Sequence, residues 1–262
     1  MMGRSHLALG ALAGVAVAKL TGADMIDGAA AVMVAAVSAL VPDLDSDGLL
    51  TRKLTDRPLR FIRLFSGYIG VLLILLSYFP DTRNGQFLTA FMGLMFLGVG
   101  FIFRDHASRK WMVTLLGLLV MGSAIYLQFG EKMLSLKRFP YEVLHSGYAW
   151  VLGLGLFIAI VPHFSHRTYT HTIWALSAWG YVWFYAEASL GMRGLFLSAV
   201  CGYASHLLAD TLTVAGIRYL HPFPPLIKVP LIRTKKDGRK ETAVVLISSI
   251  IVLLLCFGML PL

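Results

Sequence analysis

Seven stretches of this chain are each long and apolar enough to cross a lipid bilayer as a helix, and no other feature narrows the choice of fold so far. The hydrocarbon core is about 30 Å thick, so a spanning helix takes about 20 mostly apolar residues. No water reaches that core to satisfy backbone N–H and C=O groups, which leaves the helix as the spanning structure for runs of this length. The runs extend from about Phe61 to Phe79, Gln86 to Phe103, Trp111 to Phe129, Ser146 to Pro162, Thr172 to Ser189, Gly194 to Thr213 and Thr242 to Leu260. Two earlier runs, Leu7 to Leu20 and Met25 to Val41, are rich in Ala and Gly, and the first is short enough to dip in rather than span. The expectation is an all-α, polytopic integral membrane bundle with about seven to nine membrane segments.

The 262 residues are 57% hydrophobic and only 14% charged, which excludes disorder, a disulfide scaffold and an ordinary soluble enzyme. No gap between runs is large enough for a soluble domain, so residues 1–262 read as one membrane-embedded domain. Within it, residues 1–60 and 161–241 carry the motifs, about 61–160 is a helical elaboration, and 242–262 is a last membrane helix. Cys201 and Cys256 lie in apolar runs and read as small packing residues. Arg4, the run from Leu7 and Ala16-Val17-Ala18 resemble a cleavable leader. Against that stand the glycines that punctuate the run and the loss of His6 that cleavage would bring.

Lys and Arg outnumber Asp and Glu by 23 to 14, and the excess is lopsided. Counted over alternate loops, 17 fall in the set made of the N-terminus and the loops around 42–60, 104–110, 163–171 and 214–241 with their flanks, against 6 in the other set. Basic loops stay in the cytoplasm. The N-terminus is therefore expected inside and the C-terminus outside.

Ionisable residues in or beside membrane helices are costly and mark functional sites. His6 stands at the mouth of the first run. Asp43 and Asp45 follow Pro42, where the second run breaks, and in a turn their i, i+2 spacing aims both at one centre. His163, His166, Arg167 and His171 lie within nine residues. His206 and Asp210 are one helical turn apart on a shared face. All four clusters fall on the cytoplasmic side of the charge-derived topology. Imidazole with carboxylate suits zinc, with iron, cobalt or manganese also compatible. His6, Asp43, Asp45, His166, His171, His206 and Asp210 are too many for one tetrahedral ion and suit two or three. Such a centre generates hydroxide near neutral pH and stabilises both oxygens of a displaced phosphoester. Asp45 is the expected general base and Arg167 the group that steadies phosphate charge; the alternative for Arg167 is a topology marker. His106, His145, His163 and His221 read as packing or hydrogen-bonded residues, and the Trp and Tyr residues as interface belts.

The stretch 214–241 holds Arg218, Lys228, Arg233, Lys235, Lys236, Arg239 and Lys240 on a path stiffened by prolines. It fits contact with anionic lipid or capture of a phosphate-bearing substrate. It resembles no nucleic-acid motif, and no nucleic-acid partner is expected.

Gly3-Arg4-Ser5-His6-Leu7, Pro42-Asp43-Leu44-Asp45, His166 through Thr172 and Gly202 through Thr213 occur in this order, followed by Ala215-Gly216-Ile217 and Pro222-Phe223. Together they resemble the YdjM-like family of bacterial inner-membrane proteins, described as metal-dependent hydrolases and similar to the zinc-dependent phospholipase C and P1 nuclease superfamily. That superfamily is helical, with a three-metal site that includes a His-x-x-x-Asp pair, which His206 and Asp210 match. Thr168, where Gly is common, and His221 before the Pro-Phe pair depart from the family pattern. The resemblance implies a bacterial inner-membrane metal-dependent hydrolase. Joined to the residue reading, it predicts phosphoester hydrolysis on a phospholipid or other lipid-linked phosphate at the cytoplasmic face. The competing expectations are an ion or metal transporter built on the same carboxylates, and a regulatory or scaffold protein with a vestigial site.

Overall fold

A computed structural model describes residues 3–46, 49–77, 86, 90, 93–94, 97, 106–129, 147–233 and 237–256. Its helices are α1 (Gly3–Leu20), α2 (Met25–Ser38), α3 (Leu49–Leu76), α4 (His106–Phe129), α5 (Ala149–Ile160), α6 (Ile173–Leu190), α7 (Leu195–Thr211) and α8 (Gly238–Cys256). Short 3-10 turns cover Val41–Asp45, Val161–His163 and Tyr169–His171. The described chain is helical, as expected, and among the described residues the only β pairing is two isolated bridges, Thr213 with Ile232 and Ile217 with Ile227.

Backbone contacts divide the chain into two compact units, Met1–Leu50 with Thr114–Leu262, and Thr51–Val113. In the smaller unit Gly70 and Gly93 face each other so closely that a Cβ on Gly93 would sit 2.8 Å from the Gly70 carbonyl oxygen. There the Arg109 guanidinium meets Asp56 at 3.1 Å.

In the larger unit α7 packs against α1, α2 and α6, while α8 lies along α1. Small residues make this possible. Gly10 and Gly14 of α1 lie against Ala31, Ala35 and Ala39, which are fully buried; a Cβ at Gly10 would sit 2.6 Å from the Ala39 Cβ. Gly202 of α7 presses on the Ala35 backbone from the other side. Such four-residue spacing of small residues lets helix backbones approach without a Leu-rich seam, as in membrane packing. The Trp179 indole donates to Ser38 Oγ at 2.8 Å, tying α6 to α2. The Ser5 hydroxyl donates to the buried Glu241 carboxylate at 3.5 Å, tying α1 to α8.

One expectation changes and another is met in part. Residues 49–60, read as loop, are helical: the first turns of α3 expose Arg52 and Lys53, so their polarity hides them from a count of apolar runs. Among the described residues, length and composition single out one helix able to cross a membrane, Met25–Asp45, against the seven to nine segments expected. The reasons are local. Helix α1 carries Arg4, His6 and Lys19, α6 is rich in Trp and Tyr, and the α8 first turn holds Arg239, Lys240 and Glu241. Ala149–His163 is apolar but short. Most of the run from Gln86 to Phe103 lies outside the described residues.

Candidate metal centre

Four separate segments deliver ionisable side chains to one place. The first turn of α1 brings His6, the 3-10 turn after α2 brings Asp43 and Asp45, and the loop before α6 brings His166, Arg167 and His171. The last two turns of α7 bring His206 and Asp210. His6, His171 and His206 are fully buried, and Asp45 and Asp210 nearly so. Two triads each place their ligand atoms within 4.8 Å of one another: His6, His206 and Asp210, and Asp43, His166 and His171.

The imidazoles are held from behind. His206 Nδ1 is 2.7 Å from the Ala39 carbonyl, which can only accept, so Nδ1 carries the proton and Nε2 keeps its lone pair. The Thr170 hydroxyl spends its one hydrogen on Asp45, so His171 Nδ1, 2.9 Å away, must donate to the Thr170 oxygen and again leaves Nε2 bare. His166 Nδ1 is 2.8 Å from Asp45 Oδ1. This is the arrangement in which an outer acceptor fixes the tautomer of a metal-binding histidine.

As a result, His171 Nε2 and His206 Nε2 confront each other at 3.2 Å. Asp43 Oδ1 is 3.8 Å from both, and Asp210 Oδ2 is 3.8 Å from the first and 3.9 Å from the second. Two lone pairs at that distance repel unless an electrophile stands between them. A proton there would make one ring an imidazolium. Burial, reinforced by the neighbouring His206, pushes His171 well below its usual value and opposes that charge. Divalent cations suit the atoms better: one beside His6, His206 and Asp210 and another beside Asp43, His166 and His171 would draw each lone pair to its own ion. His6 adds a further donor. Its ring stacks on His206 at 3.8 Å, its Nε2 is 3.4 Å from Asp210 Oδ1, and neither ring nitrogen has a hydrogen-bond partner.

Asp43 and Asp45 both reach the histidine cluster, as their spacing suggested, but approach it from different directions. A 3-10 turn advances about 120° per residue, so two residues on the side chain faces elsewhere. Asp43 faces His171 and His206, whereas the oxygens of Asp45 serve His166 and Thr170. The bond to Asp45, the largest influence on His166, raises its pKa above 6.5 against partial desolvation. A raised folded value means that the protonated ring stabilises the fold below the unfolded pKa, and that this contribution is lost as pH rises through the folded value. In metal-free protein, His166 is expected to titrate above 6.5 by NMR and to fall back toward it in Asp45→Asn; an unmoved titration would remove Asp45 as its partner.

Arg167 occupies the left-handed region at φ 62°, unusual for a residue with a Cβ. That turn aims its Nη2 at Asp210 Oδ2, 3.1 Å away, while Nη1 is buried with no hydrogen-bond partner. His163 is bonded to the Thr114 hydroxyl at 2.7 Å, and His221 meets the Tyr169 ring edge-on. The side chain of His106 and the whole of His145, Lys235 and Lys236 lie outside the described residues. Sequence reasoning gave no role to Thr170 or to the Ala39 carbonyl. Thr170 sits inside the His166–His171 motif, a signal within reach; a backbone carbonyl leaves none.

No solved structure matches this chain. Two inner membrane proteins named YdjM, from Escherichia coli K12 and Shigella flexneri, are each 36% identical to it over 91 residues. Those alignments cover 31% of this chain and 43% of each relative, so the chain spans under half the length of the curated relatives it matches. The model of the family described as YdjM inner membrane protein matches residues 1–261. On that match, spread over nearly the whole sequence and all four ligand-bearing segments, the chain belongs to the YdjM inner membrane protein family.

Proposed function

We propose that this protein is a membrane-embedded, metal-dependent hydrolase that cleaves a phosphoester of a phospholipid or other lipid-linked phosphate at the cytoplasmic face. The observation that carries this reading is the pair of buried, unprotonated Nε2 atoms of His171 and His206, flanked by Asp43 and Asp210. In it, His6, His206 and Asp210 hold one divalent ion and Asp43, His166 and His171 another, with zinc favoured over iron, cobalt or manganese. When bound, such ions polarise a phosphoryl oxygen and make water a nucleophile near neutral pH.

The chain's own residues supply the rest. The free Nη1 of Arg167 is a buried cationic donor suited to an oxygen of the phosphate, and its anchor on Asp210 fixes it beside the ligands. Both oxygens of Asp45 are engaged, which favours an orienting role toward His166 over that of ligand or general base. The 17-to-6 distribution of basic residues supports a polytopic bundle with the centre and the N-terminus facing the cytoplasm and the C-terminus outside.

Elemental analysis of detergent-purified protein is expected to find at least two divalent ions per chain, one for each triad. Phosphate-ester release from phospholipid vesicles is expected to vanish on chelation and return with zinc. Protein that purifies and stays metal-free in the presence of zinc would sink the reading.

A further inference from the structure

Between α5 and α6 lies a cavity of about 440 Å³ with no charged residue in its lining. Leu156, Ile160, Trp174 and Tyr181 are exposed at its rim, while Val161, Thr170 and Val182 are buried at its floor. Cavities of this size, apolar with a few polar groups at one edge, bind small ligands. The polar edge is the informative part. Thr170 lines the cavity, yet its hydroxyl donates to Asp45 and accepts from His171, so the apolar space and the His/Asp cluster share a wall. Tyr169, also in the lining, precedes it in the same 3-10 turn, two residues beyond Arg167.

An occupant fitting both regions has an uncharged, apolar body and an anionic end beside Arg167. A peptide segment would bring backbone N–H and C=O groups into a lining that offers them almost no partners, at a cost a hydrocarbon chain does not incur. We infer that this cavity is the slot for an acyl chain of the lipid whose phosphate reaches the His/Asp cluster. The inference rests on the hydrolase reading for the identity of the headgroup, but the slot itself is testable without turnover.

The probe is a dibromostearoyl phosphatidic acid at low mole fraction in detergent micelles, read by quenching of tryptophan fluorescence. The share due to Trp174 is isolated by difference from Trp174→Phe. Saturable quenching of Trp174, displaced by unbrominated long-chain phosphatidic acid but not by the dihexanoyl form, is expected. Ala178→Phe, at an exposed lining position where added bulk fills the slot, is expected to weaken it by about tenfold or more, and Ala178→Ser to leave it near the wild-type value. Quenching that only rises in proportion to mole fraction, or that the dihexanoyl lipid displaces equally well, would overturn the slot even if Ala178→Phe fails to fold. The two readings fail separately. Saturable quenching in protein without metal or activity keeps the slot and sinks the hydrolase; metal-loaded, active protein without it does the reverse.

Discussion

Replacing Asp210 with asparagine is expected to empty one or both of the proposed metal sites. Asparagine keeps the shape of the side chain but removes its charge and turns one acceptor oxygen into an NH2 donor, so packing is tested least and ligation most. Asp210 is the carboxylate on which the centre turns: one oxygen is 3.4 Å from His6 Nε2, and the other is 3.1 Å from Arg167 and within 3.8–3.9 Å of His171 and His206. Losing only an outer partner of a metal ligand costs about 10–100-fold in affinity. Loss of this proposed central ligand is expected to cost about 100-fold or more in affinity, with the proposed hydrolysis falling in step. Elemental analysis and zinc titration by calorimetry measure it. His163→Ala is the control, because His163 bonds to Thr114 away from the cluster and its removal is expected to leave the metal content as it was. A wild-type metal content in Asp210→Asn would reject the proposed ligand set.

The second large effect is expected at a residue that touches no ligand. A Cβ at Gly202 would fall on the carbonyl carbon, oxygen and Cα of Ala35, backbone that cannot swing aside. One turn further along both helices, His206 Nδ1 bonds to the Ala39 carbonyl. The Gly202–Ala35 approach and the His206–Ala39 bond are therefore successive rungs of one interface. Gly202→Ala is expected to spread α7 from α2, cost about 3 kcal/mol, the upper part of the overpacking range, and release His206 from the bond that sets its tautomer. Thermal unfolding in detergent and zinc affinity are expected to fall together. Gly122 gives the opposite sign, since a Cβ there meets open space on α4; Gly122→Ala is expected to stabilise by about 0.5–1 kcal/mol through helix propensity. Equal stability of Gly202→Ala and wild type would mean that the close approach does not hold the centre together.

Much of the centre was legible from residue types and spacing. His206 and Asp210 had to share a face once a helix was granted, and the loop charges placed them on the same side as His6, Asp43, His166 and His171. What escaped is instructive in physical terms. Asp43 and Asp45 reach different atoms of the cluster because the chain takes a 3-10 turn, in which i and i+2 point in different directions, and nothing in Val41-Pro42-Asp43-Leu44-Asp45 distinguishes that from an extended turn. The start of α3 escaped because apolar runs reveal membrane helices and hide polar ones. The support behind His206 escaped because it is a main-chain carbonyl.

The backbone-to-backbone seam of α1, α2 and α7 bears on how the protein is made. The first hairpin, through Asp45, leaves the ribosome with His6, Asp43 and Asp45 in place but without the α7 backbone that presses on Ala35 or the imidazole that Ala39 anchors. The partners of His6 are about 200 residues away, at His206 and Asp210. The ion proposed for His6, His206 and Asp210 cannot be held until α7 has been synthesised and seated on the older pair. A metal that binds only the finished fold stabilises it by mass action. Uptake of that ion would then wait for α7, and a nascent chain stalled before it would offer zinc only the site of Asp43, His166 and His171.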